Sequence, residues 1–272
     1  MAETNAHQRA PARQCFTTTW GDSPVIGTAI HDGHQTRDDL TSLYGLSDRQ
    51  RLYEEDPYTG RMIAGLTNRI VAHRSRFEVD LNRARSAAIY LEPEQAWGLA
   101  VWKDKPTAAS LERSLAVHDA YYAMLTDRLD RMRERYGRFV LLDIHSYNHR
   151  RAGADEPMTP QSEAPDINIG TISMDRAQWA AIVDLVIDHF SASPIAGRHL
   201  DVRENVAFQG RGEQTRFVHE RYPDEGCAIA IEFKKIFMDE WTGTAYPQAV
   251  DDIAAAMAEL EPKLERALDA CR

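Results

Sequence analysis

Three short apolar runs, each delivering a polar side chain at or near its end, constrain this chain more than any other feature. They are Pro24 to Ile30 (PVIGTAI), Phe139 to Ile144 (FVLLDI) and Cys227 to Phe233 (CAIAIEF). Each is aliphatic or β-branched and too short for a helix by itself, which is the pattern of a strand covered on both faces. Long stretches of helical period lie between them. Ser110 to Tyr136 places Leu111, Leu115, Val117, Tyr121, Tyr122, Leu125, Leu129 and Met132 on one stripe, and Gly137 is positioned to end that helix. Asp175 to Phe190 repeats the pattern with Asp175 as N-cap, and Pro247 to Ala270 carries Ile253, Met257, Leu260, Leu264 and Leu268 on one face. Phe77 to Leu81 and Ala87 to Leu91 read as edge or half-buried strands. Strands alternating with long helices predict an α/β fold, a mixed and mostly parallel sheet with helices on both faces. Residues 1–14 read as a flexible tail. No Gly-, Pro- or Ser-rich linker divides the remainder, so residues 15–272 read as one domain.

The overall charge narrows the partners. A formal net charge of -10 argues against nucleic acid and anionic membranes, both of which call for clustered Lys and Arg. No apolar run approaches the roughly 20 residues needed to span a bilayer. The polar N-terminus has no apolar core of a secretory signal. Cys15, Cys227 and Cys271 are odd in number and match neither a zinc ribbon nor a disulfide framework. A cytoplasmic protein is expected, with a small molecule as its partner. The oligomeric state is open.

In an α/β sheet, ligands bind beyond the carboxyl ends of the strands. The first run leads directly into His31, within His31-Asp32-Gly33-His34, and the second into His145. The third carries Glu232 near its end. His31 reads as a metal ligand, with Gly33 letting the backbone turn tightly beside it; the alternative is a polar loop with two solvated histidines. His34 is assigned to the surroundings of the ligands or to solvent. Alternation along the second strand puts Asp143 on the same side as His145, where a carboxylate fixes the tautomer of a ligating imidazole. Glu54, Glu55 and Asp56 precede Pro57 and suit a helix start, or one of them completes a His-carboxylate-His zinc set. Glu232, a charge in an apolar strand, needs a partner such as Lys234 or Lys235, or else serves as a general base. Asn82 and Arg83 end the Asp80-Leu81-Asn82-Arg83 segment, where a guanidinium fork could hold a carboxylate or form a surface ion pair. Residues 148–166 read as a long loop beside His145, either a lid or plain surface.

Taken in order, these segments resemble the N-formylglutamate amidohydrolase family, whose fold is similar to zinc carboxypeptidases. The matching pieces are IHDGH at 30–34, EEDPYTGR at 54–61, SRFEVDLNR at 75–83, LLDIHSYNHR at 141–150, PDINIGT at 165–171, ENVAFQGRGEQTR at 204–216 and AIEFKKIFMDE at 230–240. The resemblance makes residues 15–272 a metallohydrolase domain. It implies one Zn²⁺ per chain, or another divalent metal, held by His31, His145 and an acid of the 54–56 cluster, Asp56 before Glu55. It implies Glu232 as base, Arg83 as an oxyanion-stabilising group, and Asn82, Arg83, Asn205 and Arg216 as substrate-binding residues. The implied reaction is metal-dependent cleavage of the N-formyl or N-acyl amide of an acidic amino acid. With N-formyl-L-glutamate the products are formate and glutamate. The alternatives are a hydrolase of another N-acyl amino acid or peptide, and an inactive binding protein of the same fold. The sequence departs from the family at Ile30-His31-Asp32-Gly33, where Pro-His-Ser-Gly is usual, and at Gly210-Arg211-Gly212, where paired glycines are usual.

Overall fold

A computed structural model describes residues 15–270. The predicted tail at 1–14 lies outside the described residues, as does Cys271. The strands are β1 (Phe16–Thr19), β2 (Val25–Ala29), β3 (Asn68–Ala72), β4 (Phe139–Tyr147), β5 (Ile167–Gly170), β6 (Val202–Glu204) and β7 (Gly226–Lys234). The helices are α1 (Asp38–Thr41), α2 (Asp48–Glu54), α3 (Thr59–Met62), α4 (Ala108–Tyr136), α5 (Ala180–Ala192), α6 (Glu213–Arg221) and α7 (Pro247–Ala270). These seven form one sheet in the order β1-β3-β2-β4-β7-β5-β6, and Met238–Asp239 pairs with Thr244–Ala245 in a separate two-stranded sheet. Its centre, β3-β2-β4-β7, is parallel, whereas β1 and the β5–β6 pair run against it. The three apolar runs are therefore the three adjacent central strands.

Alternation divides the core into two layers. Val25, Val140, Leu142, Ile144, Ile229 and Ile231 pack against α5 and α7. Ile26, Phe139, Leu141 and Ala228 face the other way, onto Tyr121, Leu125 and Leu129 of α4 and Val218 of α6. Helices thus cover both faces. The expected caps form: Thr107 Oγ1 accepts from the Ser110 amide at the start of α4, and Gly137 ends it at φ 78°. Asp175 caps a turn rather than the helix proper. Its carboxylate accepts from the amides of Ala177 and Gln178, and α5 begins only at Ala180. Among the described residues, no helix is long and apolar enough to cross a membrane.

Two expected strands are absent. Phe77 to Leu81 leaves a turn closed by Glu78 N–H donating to the Ser75 carbonyl, with Asp80 N–H donating to the Ala88 carbonyl, and Ala87 to Leu91 begins with the last residue of a short 3₁₀ turn, Arg85–Ala87. The alternation of Phe77, Val79 and Leu81 misleads because Glu78 and Asp80, the supposed outward residues, are fully buried. Glu78 is paired with Arg37 and Arg74, and Asp80 with Arg76, so neither needs solvent.

Candidate active site

The parallel centre gathers the polar residues at one edge. His31 follows β2 by two residues, and His145 and Glu232 face each other across the β4–β7 register. Because β4 and β7 pair residue for residue, Asp143, His145 and Glu232 all point to the face that carries Ala228. Asp56 enters from the turn after α2, its amide donating to the His31 carbonyl at 2.9 Å.

The two imidazoles stand with ring centres 4.9 Å apart. Each turns Nδ1 toward Asp56 Oδ2, His31 at 3.3 Å and His145 at 3.0 Å. Each turns Nε2 to a second carboxylate: His31 to Asp80 Oδ1 at 2.7 Å, and His145 to Asp143 Oδ1 at 3.1 Å. One donor atom from each of His31, Asp56 and His145 lies within 4.8 Å of the others, and all three residues are buried. His31 Nδ1 makes no hydrogen bond there, a cost that a buried polar atom rarely bears. An N,N,O donor set backed by carboxylates on the far nitrogens suits Zn²⁺. The local charge agrees, since Asp56, Asp80, Asp143 and Glu232 surround two imidazoles. Burial would raise the Asp56 carboxyl, but its bonds to His145 and His31 hold it far below the usual carboxylate range. Burial would lower His145, but Asp143, Asp56 and Glu232 push it well above the ordinary histidine value.

Glu232 lines the same cavity. Burial pushes its carboxyl up to about 7, with His145 opposing and Asp56 and Asp143 adding to the shift. Neither neighbouring lysine neutralises it. Lys234 Nζ reaches Gln161 and Asp166, and Lys235 Nζ donates to the carbonyls of Tyr53 (2.5 Å) and Glu55 (2.8 Å). The cavity encloses about 570 Å³, within the range of small-molecule sites. Arg83, Asn82 and Arg216 line it along with His31, Asp56, His145 and Glu232.

Other sequence candidates are placed differently. Glu55 is buried but faces away from the donor set, accepting from Ser75 and lying 2.5 Å from His34 Nδ1. His34 therefore contacts the acid cluster rather than the imidazoles. Asn205 does not line the cavity; its amide holds the Thr171 amide and hydroxyl, and its own φ is 56°. Asn82 lies 3.3 Å from His145 Nε2 while its carbonyl and Oδ1 accept from the first amides of α6. Gly33 has no left-handed backbone. A side chain there would instead strike the His73 carbonyl, so glycine serves close packing. The 148–166 loop sends Arg151 to the cavity, paired with Glu54 at 3.1 Å.

Three elements escaped sequence reasoning. Asp80 is clamped by Arg76 at 2.8 Å, by the Tyr90 hydroxyl and by the Asn82 amide, and so aims the His31 ring. A buried chain runs from Tyr121 to Gln214 to Thr28 to Asp143, ending at the acid behind His145. Asn168, paired with Glu232 in the β5–β7 register, pins the 206–208 backbone by accepting from Val206 and Ala207 and donating to Phe208. The clamps on Asp80 are local but the imidazole it aims is not, and the partners in the other two come from distant segments, so no local pattern announces any of them.

Residues 23–238 match the family model for N-formylglutamate amidohydrolase. The chain belongs to that family. Among solved structures, the N-formylglutamate amidohydrolase from Ralstonia eutropha JMP134 aligns at TM-score 0.72 and 15% identity, covering 93% of this chain and 98% of that one. A gene product of Agrobacterium tumefaciens aligns at 0.62 and 16% identity, covering 94% and 95%. A metallo-carboxypeptidase from Burkholderia cenocepacia is more remote, at 0.39 and 13% identity over 94% and 61%, too low a score to rest anything on. No curated protein matches. At such identities the structures speak to the fold, and the N-formylglutamate amidohydrolase family supports an amidohydrolase activity. Arg211, between Gly210 and Gly212, stands at the cavity.

Proposed function

We propose that this protein is a zinc-dependent amidohydrolase that cleaves the N-acyl amide of a carboxylate-bearing amino acid, N-formyl-L-glutamate being the simplest case. The observation that carries this reading is the convergence of His31 Nδ1, Asp56 and His145 Nδ1 beside Glu232 in one cavity. His31, Asp56 and His145 would hold the metal, Asp56 rather than Glu55 being the acid. When bound, the ion supplies acidity to a water and polarisation to the acyl carbonyl.

The protein groups have defined tasks. Asp80 and Asp143 hold the far nitrogens of the two imidazoles, fixing Nδ1 as the free donor on each. Glu232 takes the proton from the attacking water and returns it to the departing amine nitrogen. Burial raises this carboxyl in the metal-free chain, and a carboxyl that holds its proton more readily suits the return half of that transfer. Arg83, exposed at the cavity and unpaired among the described residues, meets the substrate carboxylate or the developing oxyanion. Arg216 is already engaged by Glu213 and Glu220, so its contribution comes after Arg83.

The test pairs metal content with turnover. Glu232→Gln should retain about one zinc per chain and release no formate from N-formyl-L-glutamate, whereas His145→Ala should lose the metal. Full turnover by Glu232→Gln removes Glu232 as the base, and wild type that takes up no metal removes the mechanism.

A further inference from the structure

The cavity is larger and more aromatic than a formyl group requires. About 570 Å³ is room for a drug-sized ligand, whereas N-formylglutamate has about a dozen non-hydrogen atoms. Two rings line it with much of their surface bare, Trp97 at 48% exposure and Phe208 at 40%.

The two rings line the cavity next to different parts of the site. Trp97 packs over the Arg76 guanidinium at 4.8 Å and edge-on to Tyr90 at 6.0 Å. Arg76 and Tyr90 are the clamps on Asp80, so Trp97 stands on the His31 side. Its φ is 55°, a conformation a bulky side chain rarely adopts, so the backbone pays to present the indole. Phe208 stands on the Glu232 side. Its carbonyl is held by Asn168, the register partner of Glu232, and its ring meets Tyr147 edge-on at 5.2 Å. Arg83 and Arg211 line the same cavity, and neither has an ionic partner among the described residues. Two free guanidiniums match the two carboxylates of an acidic amino acid. That leaves the bare rings for the acyl group.

Resting on the amidohydrolase reading above, we infer that the preferred substrates are N-acyl acidic amino acids whose acyl group carries an aromatic ring. Hydrolysis breaks the amide C–N bond. The water oxygen joins the acyl carbon, the proton goes to the amine nitrogen, and an aromatic carboxylic acid and a dicarboxylic amino acid leave.

The experiment compares kcat/KM for N-benzoyl-L-glutamate and N-formyl-L-glutamate in the zinc-loaded wild type, Trp97→Ala and Phe208→Ala, with thermal melts confirming each fold. The wild type should favour the benzoyl compound by about tenfold or more, and each variant should narrow that preference several-fold. A wild-type preference for the formyl compound, or a ratio that neither variant moves, overturns the inference and leaves the amidohydrolase reading standing. If neither compound is cleaved, calorimetric titration with N-benzoyl-L-glutamate separates the two ideas. Binding that Trp97→Ala weakens by about tenfold keeps the ligand class and removes the reaction, while absence of binding removes the class.

Discussion

His31 Nε2 lies 2.7 Å from Asp80 Oδ1, and that contact decides which nitrogen of His31 faces Asp56. Asp80 has no freedom to do otherwise, being held by Arg76, the Tyr90 hydroxyl and the Asn82 amide. Asp80→Asn should therefore weaken zinc binding by about 10–100-fold, measured by chelator competition, without removing a ligand. Unchanged affinity would show that the clamp does not govern the ring. Asp80→Ala is the harsher change. It leaves Arg76 buried and unpaired and should cost about 3–5 kcal/mol in urea unfolding.

Glu232 gives the metal-free protein a pH-dependent weakness. Its folded carboxyl is raised from 4.5 to about 7. Between those values the unfolded chain releases a proton that the folded protein keeps, so stability falls as pH rises and then levels off above about 7. Glu232→Gln should raise the melting temperature of the metal-free protein at pH 8 and leave it nearly unchanged at pH 4. Equal effects at both pH values would count against the shifted carboxyl. With the cation bound, kcat/KM should climb at a lower pH than the metal-free carboxyl titrates, because the added positive charge favours the ionised base.

Arg83→Ala and Arg211→Ala each remove from the cavity wall an exposed guanidinium that has no ionic partner among the described residues. Stability should move by no more than about 0.5 kcal/mol, as for ordinary surface changes. Substrate KM should rise by about tenfold or more, and Arg83→Lys should not restore it, because an ammonium cannot form the bidentate fork. Steady-state kinetics on an amide substrate with and without its carboxylate checks this, since only the charged one should respond.

The Gln214–Thr28–Asp143 chain makes a different kind of prediction. Thr28 Oγ1 accepts from Gln214 Nε2 at 2.7 Å and donates to Asp143 Oδ1 at 3.2 Å. Thr28→Val keeps the shape but removes the acceptor of Gln214 Nε2 and leaves Asp143 Oδ1 with His145 alone, at a fully buried position. It should cost about 1–3 kcal/mol in denaturant unfolding and weaken metal binding through His145. Loss of stability with full metal affinity would separate the chain's structural role from any role at the site.

What the sequence discloses follows from where each segment lies. β2, β4 and β7 are covered on both sides, so burial writes them as continuous apolar runs. His31, His145 and Glu232 are legible because they sit on those runs or just beyond. β1 reads FTTT and β6 reads VRE; at the sheet's two edges, half-exposed, they have no such signature. β5 is buried but only four residues long, too brief to announce itself. Asp80 stayed hidden for another reason: what fixes its meaning is an imidazole 49 positions away. Asn168 and Thr28 are likewise ordinary in sequence and acquire a task only through the sheet register.

The pairing of His145 with Glu232 across β4 and β7 also sets an order of assembly. As the chain leaves the ribosome, β2, the Asp56 turn and β4 emerge well before β7. The residues proposed to hold the cation are thus complete in sequence while the proposed proton acceptor is still unmade, so on that reading ion binding needs only the earlier strands and catalysis needs the last central one.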